Sequence, residues 1–244
     1  MDRAMTGLPV ALFERFTGAI DFIIEKRPSQ LGDGELVGGP AQVVDFAITH
    51  VALSGAAMAV GLAIALPLGI YLGHRGRGEV LAVAVGNAGR AIPELVLIAL
   101  LIAFVGVGFL NLTIALSILA IPPVLTNTFV GIRQVDRTSV EAARGMGMSE
   151  REIALRVELP LAAPTIMTGV RTSAINVVAT ATIAPLAGEL TLGDFILNNN
   201  LYGDDGVFAG ALLVAVLALA VELGLALTQR AVTPKGLKLQ RATA

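Results

Sequence analysis

The sequence predicts an all-α integral membrane protein, and three observations support that class. The chain has 244 residues, of which 55% are hydrophobic and 15% charged, too apolar a balance for an ordinary water-soluble fold. Its apolar residues form runs longer than the roughly 20 residues that a helix needs to cross a bilayer. With nine Phe, two Tyr and no Trp, the chain lacks the aromatic girdles of an outer-membrane barrel.

Composition also excludes several classes of chemistry. The chain contains no cysteine and only two histidines, so it has neither thiolate ligands nor enough imidazoles for a zinc site. The formal net charge is −2, which argues against a nucleic-acid partner, since phosphates demand clustered Lys and Arg. We therefore expect no metal and no cofactor in this chain.

Residues 1–40 are interpreted as an amphipathic and flexible N-terminal segment. Charged residues interrupt its short apolar pieces, so that it cannot span a membrane and is expected to lie at the surface. The glycine-rich residues 32–40 are predicted to be a hinge. A membrane domain over 41–230 and a short tail over 231–244 complete the predicted organisation.

Five apolar runs are predicted to span the membrane. They lie at 46–73, 80–107, 112–132, 161–187 and 207–227. Pro93 should kink the second run and Pro122-Pro123 the third, because proline removes a backbone donor from the helix. Repeatedly broken helices free carbonyl groups at depth, which is tolerated where they line a cavity. The pattern favours a transport bundle over a simple anchor.

The distribution of basic residues predicts the orientation of the spans. Lys and Arg number two in the loop 74–79, five in the loop 133–160 and four after Gln229, against none at 108–111 or 189–206. Loops rich in Lys and Arg stay in the cytoplasm. The sequence thus predicts a multi-pass protein of the cytoplasmic membrane with its N-terminus outside and its C-terminus inside.

The loop 133–160 is a polar segment between two apolar runs. A hydroxyl residue followed three positions later by Glu occurs at 138–141 and at 149–152, which is the capping-box pattern of a helix start. Gly145 and Gly147 are expected to close the first helix, and the second should end before Pro160. Two short cytoplasmic helices around a glycine turn are therefore predicted.

The spacing in this loop resembles a known signature. Glu141-Ala142-Ala143, then Gly147, then Val157-x-Leu159-Pro160 is similar to the EAA loop in permease subunits of bacterial ATP-binding-cassette (ABC) importers, with Val where Ile is most common. The resemblance implies that the first short helix docks on an ATPase subunit and couples it to the spans. The residues expected at that contact are Glu141, Ala142, Ala143, Arg144, Met146, Gly147 and Met148.

The likeness extends beyond this loop. Residues 120–131 (AIPPVLTNTFVG), 157–172 and 179–185 are similar to permeases of the osmoprotectant group, which import glycine betaine, choline, carnitine or proline. The sequence departs from that pattern at 188–193 and at Glu94, where relatives usually have Ser or Thr. The resemblance implies five spans of the type I importer kind, two ATPase copies that bind ATP and Mg²⁺, a second permease subunit and an extracytoplasmic solute-binding protein.

Four polar residues inside the predicted spans are candidates for a translocation path. They are Arg90, Glu94, Arg171 and Asn176. A charge stranded in the bilayer is costly, so these groups should face protein or water. Arg90 and Glu94 are four residues apart and could form either a structural ion pair or part of the path. Arg171 and Asn176 are five residues apart and should lie on different helix faces.

The predicted function is that of a membrane-spanning importer subunit without catalytic activity. No G-x-x-x-x-G-K-[ST] loop is present in the sequence, so ATP hydrolysis is assigned to a separate chain. The alternative is a self-contained ion-coupled secondary transporter or channel that uses the Arg90-Glu94 pair. Such transporters often contain repeated spans, and no convincing repeat is found.

Overall fold

The computed structural model describes residues 3–76 and 78–233, with side chains except those of 3–12, 81, 83 and 87–90. The α-helices are α1 Arg3–Ile24, α2 Gly39–Arg75, α3 Glu79–Ala91, α4 Glu94–Val105, α5 Phe109–Arg133, α6 Arg137–Gly145, α7 Glu150–Ile153, α8 Leu159–Thr180, α9 Gly193–Leu197 and α10 Asn199–Val232. A π-helical turn, Ala154–Glu158, joins α7 to α8, and a 3₁₀-helix, Ala181–Ala187, follows α8. Strands β1 Lys26–Pro28 and β2 Leu36–Gly38 pair antiparallel.

Among the described residues, four helical segments are long and apolar enough to cross a membrane. They are Gly39–Arg75, Phe109–Arg133, Glu150–Ala187 and Asn199–Val232. The second predicted span, 80–107, is instead divided into α3 and α4, of 13 and 12 residues. Pro93 lies between the two helices, where its ring prevents the preceding turn from continuing. The helical membrane class is confirmed, whereas the count of five spans stays a prediction.

The chain forms two compact units, each built from three parts of the sequence. One contains the chain up to Gly55 together with Ile98–Leu112 and Val178–Leu219, and the other contains Ala56–Leu97, Thr113–Val177 and the chain from Ala220. Helices α2, α4, α5, α8 and α10 contribute residues to both units.

The first unit contains an aromatic core that includes the N-terminal segment. Phe22 of α1 and Phe46 of α2 pack on Phe195 of α9, with ring centroids 5.3 and 4.9 Å apart. Tyr202 of α10 completes the cluster, 4.9 Å from Phe195. Residues 32–40, predicted as a hinge, contain β2 and the start of α2. Val37 of β2 is 2% exposed, so burial of this side chain fixes the strand against the aromatic core.

In the second unit, α2 and α5 run parallel and touch through small residues. A Cβ atom built on Gly61, Gly69 or Gly73 would lie 2.7, 2.7 or 2.8 Å from the Cβ of Ala120, Thr128 or Ile132. The two members of each pair are 59 residues apart, and a constant separation means that the helices point the same way. Glycine allows this close approach because helix association in lipid depends on packing.

Helix α8 runs antiparallel to α5. The Ser173 hydroxyl donates to the Ala120 carbonyl at 2.9 Å. Four residues earlier on α8, a Cβ on Gly169 would approach the Cβ of Asn127, seven residues later on α5, to 2.6 Å. The residue numbers of the contacts increase along α5 while they decrease along α8, which identifies an antiparallel pair.

Helices α8 and α10 are also antiparallel. The Gln229 side-chain amide donates to the Pro164 carbonyl at 2.9 Å, and Arg171 donates to Glu222. The C-terminal ends of α2, α5 and α10 and the beginning of α8 therefore lie at one end of the second unit. These are the ends that carry the basic loops.

Candidate functional site

The residue that caps the first helix of the polar loop is Asp136, not Thr138 as the sequence pattern predicted. Asp136 is the N-cap of α6, and its carboxylate accepts from the backbone N–H groups of Thr138 and Ser139 at 3.3 and 3.2 Å. Thr138, predicted as the cap, lies inside the helix, because the Asp136 carboxylate accepts the hydrogen bonds of the free backbone amides in the first turn. Hydrogen bonds from the Thr138 and Ser139 hydroxyls and amides lower the pKa of Asp136. The cap is therefore a stable carboxylate.

Helix α6 has one buried and one exposed face. Val140 and Ala143 are 3% and 2% exposed and belong to the core of the second unit. Glu141, Ala142 and Arg144 are exposed. Ala143, expected at the docking contact, is thus covered by the chain itself. It anchors the helix, and its neighbours present the free surface.

The turn after α6 requires glycine. Helix α6 ends at Gly145, and Gly147 has a φ of +83°, in the left-handed region that favours glycine. Met146 is 77% exposed, whereas Met148 packs against the core of the second unit. Of the two methionines expected at the ATPase contact, Met146 is therefore the exposed one.

The second helix of the loop starts as predicted and ends elsewhere. Ser149 and Glu152 form a complete capping box, and Glu152 also pairs with Arg156 at 3.5 Å. The helix was expected to stop before Pro160. It instead continues into α8 through the π turn, in which Leu159 donates its N–H to the Ala154 carbonyl five residues back. This wider turn shifts the hydrogen-bond register of the helix, so that the helix tolerates the absence of a backbone N–H at Pro160.

A charge network connects the loop to the end of α2. The His74 Nδ1 lies 2.6 Å from Glu158, which is 4% exposed, and its Nε2 lies 3.2 Å from Glu150. Glu150 accepts two hydrogen bonds from the Arg144 guanidinium, at 2.8 and 3.0 Å. These bonds hold the pKa of Glu150 below its ordinary value. The α6 helix, the second loop helix and α2 are thereby joined.

Neither His74 nor Glu158 was identified as functional from the sequence. They lie 84 residues apart, and no local pattern relates them. A single acid between Val157 and Leu159, in an otherwise apolar stretch, is the one feature that could have drawn attention to Glu158, because a buried carboxylate requires a partner.

Two of the four polar residues predicted to line a path share one cavity. Glu94 and Asn176 border a space of about 440 Å³ in the second unit, together with Thr172. The other lining residues are Ile92, Pro93, Leu119, Pro122 and Pro123. The cavity lies where α3 gives way to α4 and where α5 carries its two prolines.

Arg171 has a different environment. Its guanidinium donates to the carboxylate of Glu222 and, at 2.5 Å, to the Gln229 side chain, both on α10. Arg171 and Asn176 therefore occupy different faces of α8, as their spacing predicts. Glu222 lies 51 residues from Arg171 in the chain, so no local pattern relates the two partners.

Arg90 and Glu94 do not lie one turn apart on a single helix, which is the geometry that their predicted pairing assumed. Arg90 is on α3 and Glu94 begins α4, so the two residues do not share one continuous helix. The side chain of Arg90 lies outside the described part of the structure. Within the described residues, no group of three or more His, Asp or Glu side chains could hold a metal ion.

Comparison with protein families identifies the class of this bundle. Residues 65–234 match the family described as "binding-protein-dependent transport system inner membrane component". The chain belongs to this family. It is therefore an inner-membrane permease component of a transport system, and its family is one of transport subunits rather than of catalytic enzymes.

Relatives agree with the predicted resemblance. Over 193 residues the chain is 40% identical to the carnitine transport permease protein OpuCB of Listeria monocytogenes, covering 79% of this chain and 88% of the relative. It is 37% identical over 190 residues to the choline transport system permease protein OpuBB of Bacillus subtilis, covering 78% and 88%. The likeness to osmoprotectant permeases is thus confirmed.

A solved structure supports the same fold. A chain of the MetNI methionine ABC transporter in an inward-facing conformation superposes with a TM-score of 0.69 at 21% identity, covering 80% of this chain and 97% of that chain. The all-α architecture of a type I ABC-importer permease is confirmed by this likeness.

Proposed function

We propose that this chain is the membrane-spanning subunit of an ATP-driven importer for a compatible solute. The solute is a quaternary amine such as glycine betaine, choline or carnitine, or else proline. The relatives of the chain include carnitine and choline permeases, which supports this substrate class. The architecture of the polar loop supports the way in which transport is driven.

The observation that carries the proposal is the division of α6 into an anchored and a free face. Val140 and Ala143 fix the helix to the bundle, while Glu141, Ala142 and Met146 point away from it. Such a helix offers a protruding surface with a flexible methionine that suits a groove on another protein. Movement of that surface would pass into the spans, because the helix is packed on their core.

Charge and packing together support the orientation that we propose. The basic loops at 74–79 and 133–160 lie at one end of the second unit, and basic loops remain in the cytoplasm. The C-terminal end of α10 belongs to the same end. The N-terminus is then extracytoplasmic and the C-terminus cytoplasmic.

The subunit requires partners. Two copies of an ABC ATPase bind ATP and Mg²⁺ and dock on the loops of two permease subunits, which are identical or related. An extracytoplasmic solute-binding protein delivers the solute. The residues assigned to the ATPase contact are Glu141, Ala142, Arg144, Met146 and Gly147, with Ala143 and Met148 holding them in place.

The test is mutation of the exposed loop in the assembled complex. Glu141→Lys and Gly147→Pro should leave the permease in the membrane but abolish stimulation of the ATPase and solute uptake. Glu79→Lys, a charge reversal at an exposed carboxylate outside the loop 133–160, serves as the matched control. It should preserve both the stimulation of the ATPase and the uptake of solute. Normal ATP-driven uptake by the Glu141 and Gly147 variants would contradict the proposal. Ion-driven uptake by the purified chain alone would favour the secondary-transporter alternative.

A further inference from the structure

The cavity in the second unit is lined by three parts of the chain, two of which carry prolines. Between α3 and α4 the chain is interrupted at Ile92-Pro93, α5 carries Pro122-Pro123, and α8 contributes Thr172 and Asn176. Its volume of about 440 Å³ falls within the range of roughly 300 to 1,000 Å³ that is typical of small-molecule sites. The space is large enough for a small organic solute.

The polar groups of this cavity are mainly hydrogen-bond acceptors. Glu94 contributes a carboxylate, and Asn176 contributes an amide that has an oxygen acceptor as well as two N–H donors. The Thr172 hydroxyl donates to the Thr168 carbonyl at 3.0 Å, which commits its proton and leaves its lone pairs available. The lining is therefore electronegative on the side of Glu94 and α8.

The two prolines of α5 add to the same character. Pro122 and Pro123 have no N–H, so the carbonyl groups of Ile118 and Leu119 lose their usual helical donors. Leu119 itself lines the cavity. No Lys or Arg is among the described residues that border the space, and the nearby Arg171 is committed to Glu222 and Gln229 on α10.

The remaining walls are apolar and lack aromatic rings. Ile92, Leu119 and the three prolines offer surfaces that suit methyl groups, and no Phe or Tyr lines the described cavity. An aromatic cage would bind a quaternary ammonium tightly. A carboxylate beside aliphatic walls attracts the same cation more weakly, as a path requires if the solute is to leave again.

We propose that this cavity is a transit site for a quaternary ammonium group, with Glu94 as the residue that selects solutes of net positive charge. The inference rests on the proposed function and adds a site and a preference to it. A quaternary ammonium group has no N–H donor and matches a wall of carboxylate, carbonyl and methyl-compatible surfaces. A zwitterion brings its own carboxylate, which Glu94 repels, so the site favours choline over glycine betaine.

The experiment measures ATP-driven uptake of choline and of glycine betaine by the full complex in proteoliposomes, with saturating solute-binding protein. Glu94→Gln should lower the ratio of choline to glycine betaine uptake by about tenfold, the order expected when one close charge interaction is removed. Glu94→Asp keeps the charge and should retain most of the ratio. Glu79→Gln, which neutralises an exposed acid outside the cavity, should leave the ratio unchanged.

Uptake of glycine betaine by the Glu94→Gln complex verifies that the variant folds and couples. An unchanged ratio in a variant that still takes up glycine betaine would overturn the inference and leave the proposed function intact. A variant that loses both solutes equally would also overturn it, since selection by charge would be absent. If the wild-type complex carries neither solute with ATP, the proposed function fails, and the inference fails with it.

Discussion

The contact between His74 and Glu158 should be energetically coupled, because it is a short hydrogen bond to a buried carboxylate. Nδ1 of His74 lies 2.6 Å from Glu158, whose side chain is 6% exposed. A hydrogen bond to a charged group contributes roughly 1.5 to 3 kcal/mol to stability, about twice the value for a neutral pair. Removal of either partner leaves the other unsatisfied in a poorly hydrated position.

A double-mutant cycle isolates this energy. His74→Ala, Glu158→Ala and the double variant should show a coupling energy of about 2 kcal/mol, which is roughly a 30-fold effect on the unfolding equilibrium. Unfolding of the purified permease in detergent can be followed by far-ultraviolet circular dichroism, since the chain has no tryptophan for fluorescence. The cycle of His74→Ala with Glu141→Ala is the control and should be additive.

Additivity of His74→Ala and Glu158→Ala within about 0.5 kcal/mol would refute the predicted coupling. It would mean that the His74–Glu158 contact adds no stability beyond the other contacts of the loop, among them the His74–Glu150 pair. A coupling of the expected size would identify the pair as a stabilising polar connection between the end of α2 and the last part of the loop.

Three further predictions concern packing, capping and the intramembrane ion pair. Gly69→Val should destabilise the permease by about 1 to 3 kcal/mol through overpacking against α5, whereas Gly55→Ala, with no atom within 4 Å of the new Cβ, should not lower its melting temperature. Because hydrogen bonds lower the pKa of Asp136 in the folded state, its capping contribution is present above the unfolded pKa of about 3.9 and is lost as pH falls through the folded value. The protection factors of the α6 amides, which correct for the intrinsic pH dependence of hydrogen exchange, should fall in that acidic range. Asp136→Ala should abolish this fall, and an unchanged profile of protection factors would contradict the cap. Arg171→Met and Glu222→Met should each lower the yield of folded protein more than the double variant does, whereas equal yields would argue against the pair.

The features that the sequence predicted well involve residues close together in the chain. The Ser149 capping box, the left-handed Gly147 and the interruption at Pro93 each depend on a few neighbouring positions. Their stereochemistry decides the outcome with little influence from the rest of the fold. The first cap was wrong for a local reason too, because Asp136 competes with Thr138 for the same amides.

The features that escaped prediction depend on contacts between distant segments. Glu222 is 51 residues from Arg171, and nothing in the periodicity of either helix relates them. The helix continues past Pro160 through a π turn, whereas the usual effect of proline on the preceding residue predicted that the helix would end there. The cavity is lined by residues 92–94, 119–123 and 172–176, three segments that spacing along one helix cannot relate.

The central claim is that the free face of α6 contacts an ATPase subunit, and site-specific cross-linking tests it most directly. The chain has no cysteine, so Ala142→Cys and Ala143→Cys each add a unique thiol for a photoactivatable benzophenone. The probe on exposed residue 142 should label the ATPase in the assembled complex. The probe on residue 143, whose native side chain is 2% exposed, should not. Equal labelling from both positions, or none from residue 142, would contradict the account.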